Sequence, residues 1–237
     1  MGVAGLLAEI RESLAARADP VFRAGQAAFF REAIHSYGVR SPDVKTIAGR
    51  VSKEVKTWTA AQRNQLANEL WKSGRMEEGV VAIYVYRRFR KQCAGCEFRL
   101  FERWIDQYVG NWAHCDGVSS WLLAACIENE PALIPRLMEW TRSPNRWKRR
   151  AAAVSLLQEA KKGRHTADVL AVAGALLRDG DDMVRKGTGW LLKEAYPARP
   201  REVVSFLAPR KSLASRVLLR YAAEKMTPGG RAKVLGR

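Results

Sequence analysis

The stretch that decides the fold is RWKRRAAAVSLLQEA, residues 146–160. It aligns, at an offset of 36 residues, with DMVRKGTGWLLKEAY, residues 182–196. Each stretch places small and apolar side chains at the three- and four-residue spacing of an α-helix. Comparable stretches occur upstream at about the same interval, and they read NWAHCDGVSSWLL (111–123), MEEGVVAIYVYRR (76–88) and SPDVKTIAGRV (41–51). The chain therefore predicts a helical repeat.

The repeat is somewhat shorter than a HEAT unit, which has about 40–47 residues. Strand signals are almost absent, because no alternating β-branched run is flanked by Asn-Gly or Asp-Gly. Short breaks separate the expected helices, at Ser41–Pro42, Cys93–Cys96, Ser143–Asn145, Lys162–Gly163, Asp179–Asp182 and Pro197–Pro200. We expect an all-α fold, an α-solenoid of HEAT-like helical repeats that forms one domain over residues 1–237.

Composition excludes several classes of protein. The chain has 237 residues and is 47% hydrophobic, too apolar for a disordered tail and long enough to fold without disulfides. No apolar run approaches the roughly 20 residues that span a bilayer. Residues 1–20 form an amphipathic pattern without the regions of a signal peptide. Four cysteines do not make a disulfide framework, so we expect a reducing, cytoplasmic location.

The net charge of +17 is unevenly distributed. Residues 1–135 carry 18 basic and 15 acidic side chains, whereas residues 136–237 carry 23 and 9. Such a surplus indicates a polyanionic partner, either nucleic acid or an anionic membrane. The membrane is the weaker alternative, because the basic residues spread over several expected helices and not over one amphipathic segment.

Eight tryptophans are a high count. Four of them sit among apolar neighbours at helical spacing and predict core packing, and Trp58 is uninformative; the four are Trp71, Trp104, Trp121 and Trp140. Trp147 and Trp190 instead lie among Arg and Lys, and Trp112 stands at a helix entry. Aromatic rings interleaved with cations suit nucleic acid, since rings stack on bases or sugars while cations take phosphates.

Asp116 is the candidate catalytic carboxylate. It follows Trp112 by four residues, so both side chains project from one face of a helix. A carboxylate beside an aromatic wall stabilises developing positive charge, as in oxocarbenium-like glycosidic cleavage. The alternative is that Asp116 only caps a helix or pairs with a nearby arginine.

Five ordered blocks carry a family resemblance. They are Tyr37–Pro42, Glu69–Trp71, Trp112-x-x-x-Asp116, Trp147-x-x-Arg150-Ala151-Ala152 and Lys186–Glu194, and they lie within residues 29–225. With these blocks the sequence resembles the DNA alkylation repair glycosylases of the AlkD type, which are built from HEAT-like repeats. The resemblance implies a monofunctional enzyme that removes cationic N3- or N7-alkylated purines from double-stranded DNA.

The resemblance also assigns roles. Asp116, aided by Trp112 and Trp190, would stabilise the cationic sugar and lesion, and Arg150 would hold a DNA phosphate. It implies no metal, no cofactor and no base-reading pocket. We further expect a monomer without an obligate protein partner, in the bacterial cytosol or nucleoid.

A basic cluster surrounds these positions. One repeat after Trp112 the chain carries Lys148, Arg149 and Arg150, and one repeat later Arg185 and Lys186. We expect these residues, with Trp147 and Phe29, to contact DNA on a concave basic face, and Arg210, Lys211, Arg216 and Arg220 to extend that strip. The alternative is a solvated charged face.

Some features depart from the family or leave other functions open. Phe29 stands where some members carry Tyr, and the pair His114 and Cys115 inside the Trp112–Asp116 block is unusual. A non-catalytic paralogue that binds DNA structures and a HEAT-repeat protein-interaction scaffold are the alternative functions. The lone Cys93-x-x-Cys96 motif predicts a tight turn in preference to a zinc site, because no second pair of ligands is spaced for one.

Overall fold

The computed structural model describes residues 2–236, and these are predominantly helical. The α-helices are α1 (Val3–Ala15), α2 (Pro20–Phe29), α3 (Ser41–Glu54), α4 (Ala60–Lys72), α5 (Met76–Arg88), α6 (Gly95–Gln107), α7 (Trp112–Gly117) and α8 (Ala124–Asn129). They continue as α9 (Ile134–Trp140), α10 (Arg146–Val154), α11 (Leu157–Lys161), α12 (Thr166–Ala175), α13 (Asp182–Ala195), α14 (Pro200–Leu207), α15 (Arg216–Ala223) and α16 (Pro228–Leu235). Extended pairing in this part of the chain is confined to an isolated bridge between His35 and Arg75.

The predicted repeat is present in the helix starts. Helices α3, α5, α7, α10, α13 and α15 begin at residues 41, 76, 112, 146, 182 and 216, so successive starts lie 34 to 36 residues apart. Asn145 caps α10 by accepting from the Trp147 N–H, and Asp181 caps α13 in the same way. Short polar side chains at these positions satisfy backbone donors that a helix start leaves unpaired.

The described chain divides into two compact units, and each is considered by itself. The first comprises residues up to Arg90 together with Gln107–Gly117, and the second comprises Lys91–Asp106 and the residues from Val118 onward. Within the first unit α3 packs on α5, and α5 packs on α7. Within the second, α13 packs on α10 and α15. The prediction of a single domain stays a prediction.

Each unit has its own apolar core. In the first, α1 buries Leu6, Ile10 and Leu14, which recur at helical spacing as the amphipathic pattern predicts. The second buries Phe98, Phe101, Trp104, Leu122 and Leu123. Burying one such side chain contributes about 1.5–3 kcal/mol, so these sets account for much of the stability of their units.

One predicted helix is divided in two. The pattern of residues 146–162 favours a continuous helix, but α10 ends at Val154 and α11 begins at Leu157. The Leu156 N–H bonds the Ala153 carbonyl, three residues back and not four, which tightens the chain into a 3₁₀-type turn. Periodicity does not report such a turn, because the side chains on both sides of it remain buried.

Candidate active site

Trp112 and Asp116 lie one helical turn apart on α7, and both side chains are partly exposed. Asn111 precedes the helix, and its side-chain oxygen accepts the His114 N–H at 2.9 Å. A π-helical turn, Val118–Leu123, follows α7 directly. Such turns reset the direction of side chains and are frequent at functional sites. The sequence therefore places an aromatic ring and a carboxylate side by side at the surface of the first unit.

His114 anchors this helix in the core. Its Nε2 lies 2.9 Å from the Met76 carbonyl oxygen, which only accepts, so Nε2 carries the proton. Its Nδ1 then accepts from the Asn111 amide at 3.3 Å. The ring meets Trp71 edge-on, with centroids 4.9 Å apart. Burial lowers the pKa of His114 to about 4, so the imidazole is neutral at pH 7. The neutral ring holds both of its hydrogen bonds in a fixed orientation.

Two glycines allow α5 and α7 to approach closely. A methyl group at Gly79 would lie 2.8 Å from both His114 Nε2 and Trp71 Cζ3. A methyl group at Gly117 would lie 3.0 Å from Ile83 Cδ1. Because Gly117 follows Asp116, the close approach of α5 holds the backbone on which the candidate carboxylate stands.

Two phenylalanines flank the candidate tryptophan. The Phe30 ring stacks on Trp112, with centroids 5.4 Å apart and an interplanar angle of 17°. Phe29 meets Trp112 edge-on at 6.0 Å, and Phe29 is 70% exposed. The structure thus brings predicted residues Phe29, Trp112 and Asp116 into one unit, and it adds Phe30, which the sequence analysis did not single out.

The turn that follows these phenylalanines is folded around a buried carboxylate. Glu77 accepts hydrogen bonds from the Ser36 hydroxyl at 2.7 Å and from the Gly38 and Val39 N–H groups at 2.9 and 3.0 Å. Gly38 has a φ of +83°, a conformation that favours glycine. The Tyr37–Pro42 block of the sequence therefore has a structural role, because it anchors the segment that carries Phe29 and Phe30.

Trp190 and Arg150 lie together in the second unit. Arg150 is buried on α10 and donates to the Met183 carbonyl oxygen, and its side chain lines the space above Gly187 on α13. Trp190, one turn further on, is partly exposed and donates from Nε1 to Glu194 at 3.3 Å. Burial alone would raise the pKa of Glu194, but the hydrogen bond from Lys225 and the charge of Lys161 lower it.

Arg149 and Arg185, both predicted DNA contacts, bind Asp179. The Arg149 guanidinium reaches the two Asp179 oxygens at 2.7 and 3.3 Å and also donates to the Ser143 carbonyl at 2.9 Å. Arg185 donates to the Asp179 carbonyl oxygen at 2.6 Å. These contacts tie together the loops that precede α10 and α13, which is a structural use of both side chains.

The two predicted lysines are also paired. Lys148 lies 2.9 Å from Glu102 and 2.8 Å from Asp106, and Lys186 lies 2.9 Å from Asp182. Carboxylates therefore offset much of the positive charge that the sequence concentrates here. The assignment of Lys148, Arg149, Arg185 and Lys186 to DNA stays a prediction, and it requires these contacts to open.

Trp147, a predicted DNA contact, is almost fully buried. Its ring is only 6% exposed, and the Arg146 guanidinium lies 4.4 Å from the ring centroid. Arg146 in turn bonds Asp181 at 3.3 Å. The ring therefore packs largely in the core of the second unit, and its assignment to DNA stays a prediction. Among the tryptophans predicted to be core, Trp71, Trp104 and Trp140 are buried and Trp121 is partly exposed.

The cysteines form no metal cluster. Within residues 2–236, no group of three or more His, Cys, Asp or Glu side chains is arranged to hold a metal ion. Cys93 is buried, whereas Cys96 is exposed in the first turn of α6, as a turn between helices predicts. A hydrogen bond to Cys93, together with burial, raises the pKa of the Cys126 thiol.

Comparison with known proteins places the chain in a family. A sequence profile of the family described as "DNA alkylation repair enzyme" matches residues 10–226. The chain belongs to this family. The resemblance drawn from the five sequence blocks is thereby confirmed. No curated protein matches the chain.

Solved structures share the fold of this chain. A protein from Enterococcus faecalis, described as a predicted DNA alkylation repair enzyme, superposes with a TM-score of 0.79 at 16% identity, over 90% of this chain and 98% of its own. AlkD2 from Streptococcus mutans superposes with a TM-score of 0.60 at 17% identity, over 75% of this chain and 87% of its own. The prediction of an all-α, HEAT-like repeat fold is confirmed, whereas the basic concave face stays a prediction.

The described residues contain no candidate membrane-spanning helix. Among the residues from Gly2 to Gly236, none of the helices combines the length and the apolar character that crossing a bilayer requires.

Proposed function

We propose that this family member is a monofunctional DNA glycosylase of base excision repair. Its substrates would be double-stranded DNA with purines made cationic by alkylation at N3 or N7, such as 3-methyladenine and 7-methylguanine. The observation that carries the proposal is the pair Trp112 and Asp116, one turn apart on α7, partly exposed and held by the His114 anchor.

The reaction is hydrolysis of the N-glycosidic bond. The bond between C1′ and the base nitrogen breaks, and its electron pair moves into the cationic base, which leaves as a neutral molecule. No strong general acid is needed, because alkylation has already made the base a good leaving group. The Asp116 carboxylate stabilises the oxocarbenium-like sugar and accepts a proton from the water that forms the new bond to C1′.

The aromatic residues act on the same charge. The exposed parts of the Trp112 and Trp190 rings would attract the cationic lesion and sugar. Arg150, with its guanidinium oriented by the Met183 carbonyl, would hold a phosphate of the lesioned strand. The step consumes water alone and calls on no metal or cofactor. We infer a monomeric enzyme of the bacterial cytosol or nucleoid.

A second function draws support from two features. The stacked Phe30 covers a face of Trp112, and Phe29 lacks the hydroxyl that a tyrosine would offer. A paralogue that binds DNA structures without excision would tolerate both features. A protein-interaction scaffold is the remaining alternative, and no feature of the described residues favours it.

Base release separates these functions. Duplex DNA treated with a methylating agent, and the same duplex untreated, would be incubated with the protein. We expect release of 7-methylguanine or 3-methyladenine, an equal number of abasic sites, and no release from untreated DNA. Binding that weakens steeply with salt but releases no base would support the paralogue. No binding at moderate salt would support the scaffold.

A further inference from the structure

A cleft in the first unit gathers basic side chains that the active site does not use. It has a volume of about 470 Å³ and lies between α3 and α5. Five of its lining residues are cations, Lys45, Lys53, Arg87, Arg88 and Arg90, and within the described chain no carboxylate lines it. A cleft lined by one sign of charge concentrates ligands of the opposite sign.

Two cations of this cleft, Lys45 and Lys53, differ from those of the second unit. Lys148, Arg149 and Lys186 are bound to carboxylates, as described above. Over residues 2–236, by contrast, no carboxylate lies within ion-pair distance of Lys45 or Lys53, and both are exposed. Their charge is therefore available to an external anion without the cost of opening an internal ion pair.

The side chains that line the cleft are regularly spaced along both α3 and α5. Lys45, Gly49 and Lys53 follow one another every four residues and so form a row along α3. Tyr84 and Arg88 form the matching row on α5, and the Arg87 guanidinium lies 5.9 Å from the Tyr84 ring centroid. Between the lysines, Gly49 leaves the floor open, since a methyl group there would meet no atom within 4 Å.

Rows of cations beside a partly exposed ring suit a strand of phosphates linked by sugars. We propose that this cleft binds the DNA phosphodiester backbone outside the lesion and supplies affinity without taking part in the chemical step. The proposal rests on the proposed function, because it takes DNA as the substrate. It adds a contact surface in the half of the chain whose net charge is only +3.

The position of the cleft fits this role. Helix α5 presents Ile83 to Gly117 on α7 and presents Tyr84, the next residue, to the cleft. One helix therefore borders both the backbone of the candidate catalytic helix and the basic cleft. A strand held in the cleft would be fixed relative to Asp116 within the same compact unit.

Two variants test the cleft. Gly49→Glu places a carboxylate in open space between the lysines, and Gly49→Ala is its matched control. The triple variant Lys45→Ala/Lys53→Ala/Arg88→Ala removes charge, and Arg17→Ala/Lys56→Ala/Lys72→Ala removes the same charge elsewhere in the first unit. Binding of an unmodified DNA duplex would be measured over a range of salt concentrations, together with thermal unfolding.

We expect Gly49→Glu and the cleft triple variant to weaken DNA binding at least tenfold. The triple variant should reduce the slope of log K against log salt by about one unit for each cation removed. Release of methylated bases in a single turnover at saturating protein should stay within about twofold of the wild-type rate. Gly49→Ala and the control triple variant should bind nearly as the unaltered protein does.

Several results would overturn the inference. These are unchanged binding in both cleft variants, or equal weakening in the control triple variant. If the cleft variants lose DNA binding but the wild-type protein releases no base, the proposed function fails and the cleft proposal stands. If the wild-type protein releases base and the cleft variants bind normally, only the cleft proposal fails.

Discussion

The Nε2–H group of His114 donates a hydrogen bond to the carbonyl oxygen of Met76 at 2.9 Å. This contact joins the first turn of α7 to the first residue of α5. It fixes the ring in its neutral form and, through the backbone of α7, the positions of Trp112 and Asp116. A residue that sequence patterns mark only as unusual is therefore the structural centre of the candidate site.

The buried His114 predicts a pH dependence of stability. Its pKa is about 4 in the folded protein and about 6.5 when unfolded, so the unfolded chain binds more protons between these values. The contribution is complete above pH 6.5 and is lost as the pH falls towards 4, by roughly 3 kcal/mol at most. Urea unfolding at several pH values would measure it. His114→Gln, which does not titrate, should show a shallower dependence, and an identical dependence in both proteins would contradict the assignment.

The close approach of α5 and α7 predicts that Gly79 does not tolerate a methyl group. Gly79→Ala should destabilise the protein by about 1–3 kcal/mol, because the methyl group would press on His114 and Trp71. The matched control is Gly49→Ala, which adds the same atom to open space and should leave stability equal or raise it by up to about 1 kcal/mol. Thermal unfolding compares them. Equal melting temperatures would show that the helices separate readily.

The buried Glu77 predicts a strong effect of a small change. Glu77→Gln replaces one acceptor oxygen with a donor. If the amide oxygen stays on the Gly38 and Val39 N–H groups, the new NH₂ group faces the Tyr37 N–H that Oε2 accepts at 3.0 Å, so we expect a loss of about 2–4 kcal/mol. Glu69→Gln, which removes only the exposed pair with Lys72, should cost less than about 1 kcal/mol. Urea unfolding would measure both. A loss at Glu77 no larger than at Glu69 would mean that this turn does not depend on the carboxylate.

The role proposed for Trp190 predicts a difference between two substitutions. Trp190→Phe keeps an aromatic face and loses only the Nε1–H bond to Glu194, so base release should fall less than about tenfold. Trp190→Ala removes the face, and release should fall by about ten- to a hundredfold with a smaller effect on melting temperature. Single-turnover release of 7-methylguanine gives the comparison. Equal rates for the two variants would remove Trp190 from the site.

The fold could be predicted from the sequence because local signals mark each repeat. The caps Asn145 and Asp181 and the apolar spacing between them are visible without any tertiary information. The same reasoning placed Trp112 and Asp116 on one helix face, since that relation needs only the four-residue spacing. The turn at Ser155–Leu156 escaped it, because nothing in the composition distinguishes a tightened turn from a continuous helix.

The sequence does not show which basic side chains pair with carboxylates that are distant along the chain, and the structure does. A count of charges put the partner surface among the cations of residues 146–150, but Asp179 and Glu102 bind two of those cations. The cleft between α3 and α5 remained hidden, because fifteen acidic residues elsewhere offset its charge in the count for residues 1–135. The pair Arg87–Arg88, one helical turn after Tyr84, was the available signal.

The central claim is that Asp116 carries the chemistry. The measurement is single-turnover release of 7-methylguanine from methylated duplex DNA by the unaltered protein, by Asp116→Asn and by the control Asp168→Asn, whose carboxylate is half-exposed on α12. We predict that Asp116→Asn binds the DNA as tightly as the unaltered protein and releases base at least a hundredfold more slowly, a loss expected when an electrostatic stabiliser is removed. Asp168→Asn should release base normally. Near wild-type release by Asp116→Asn would contradict the account.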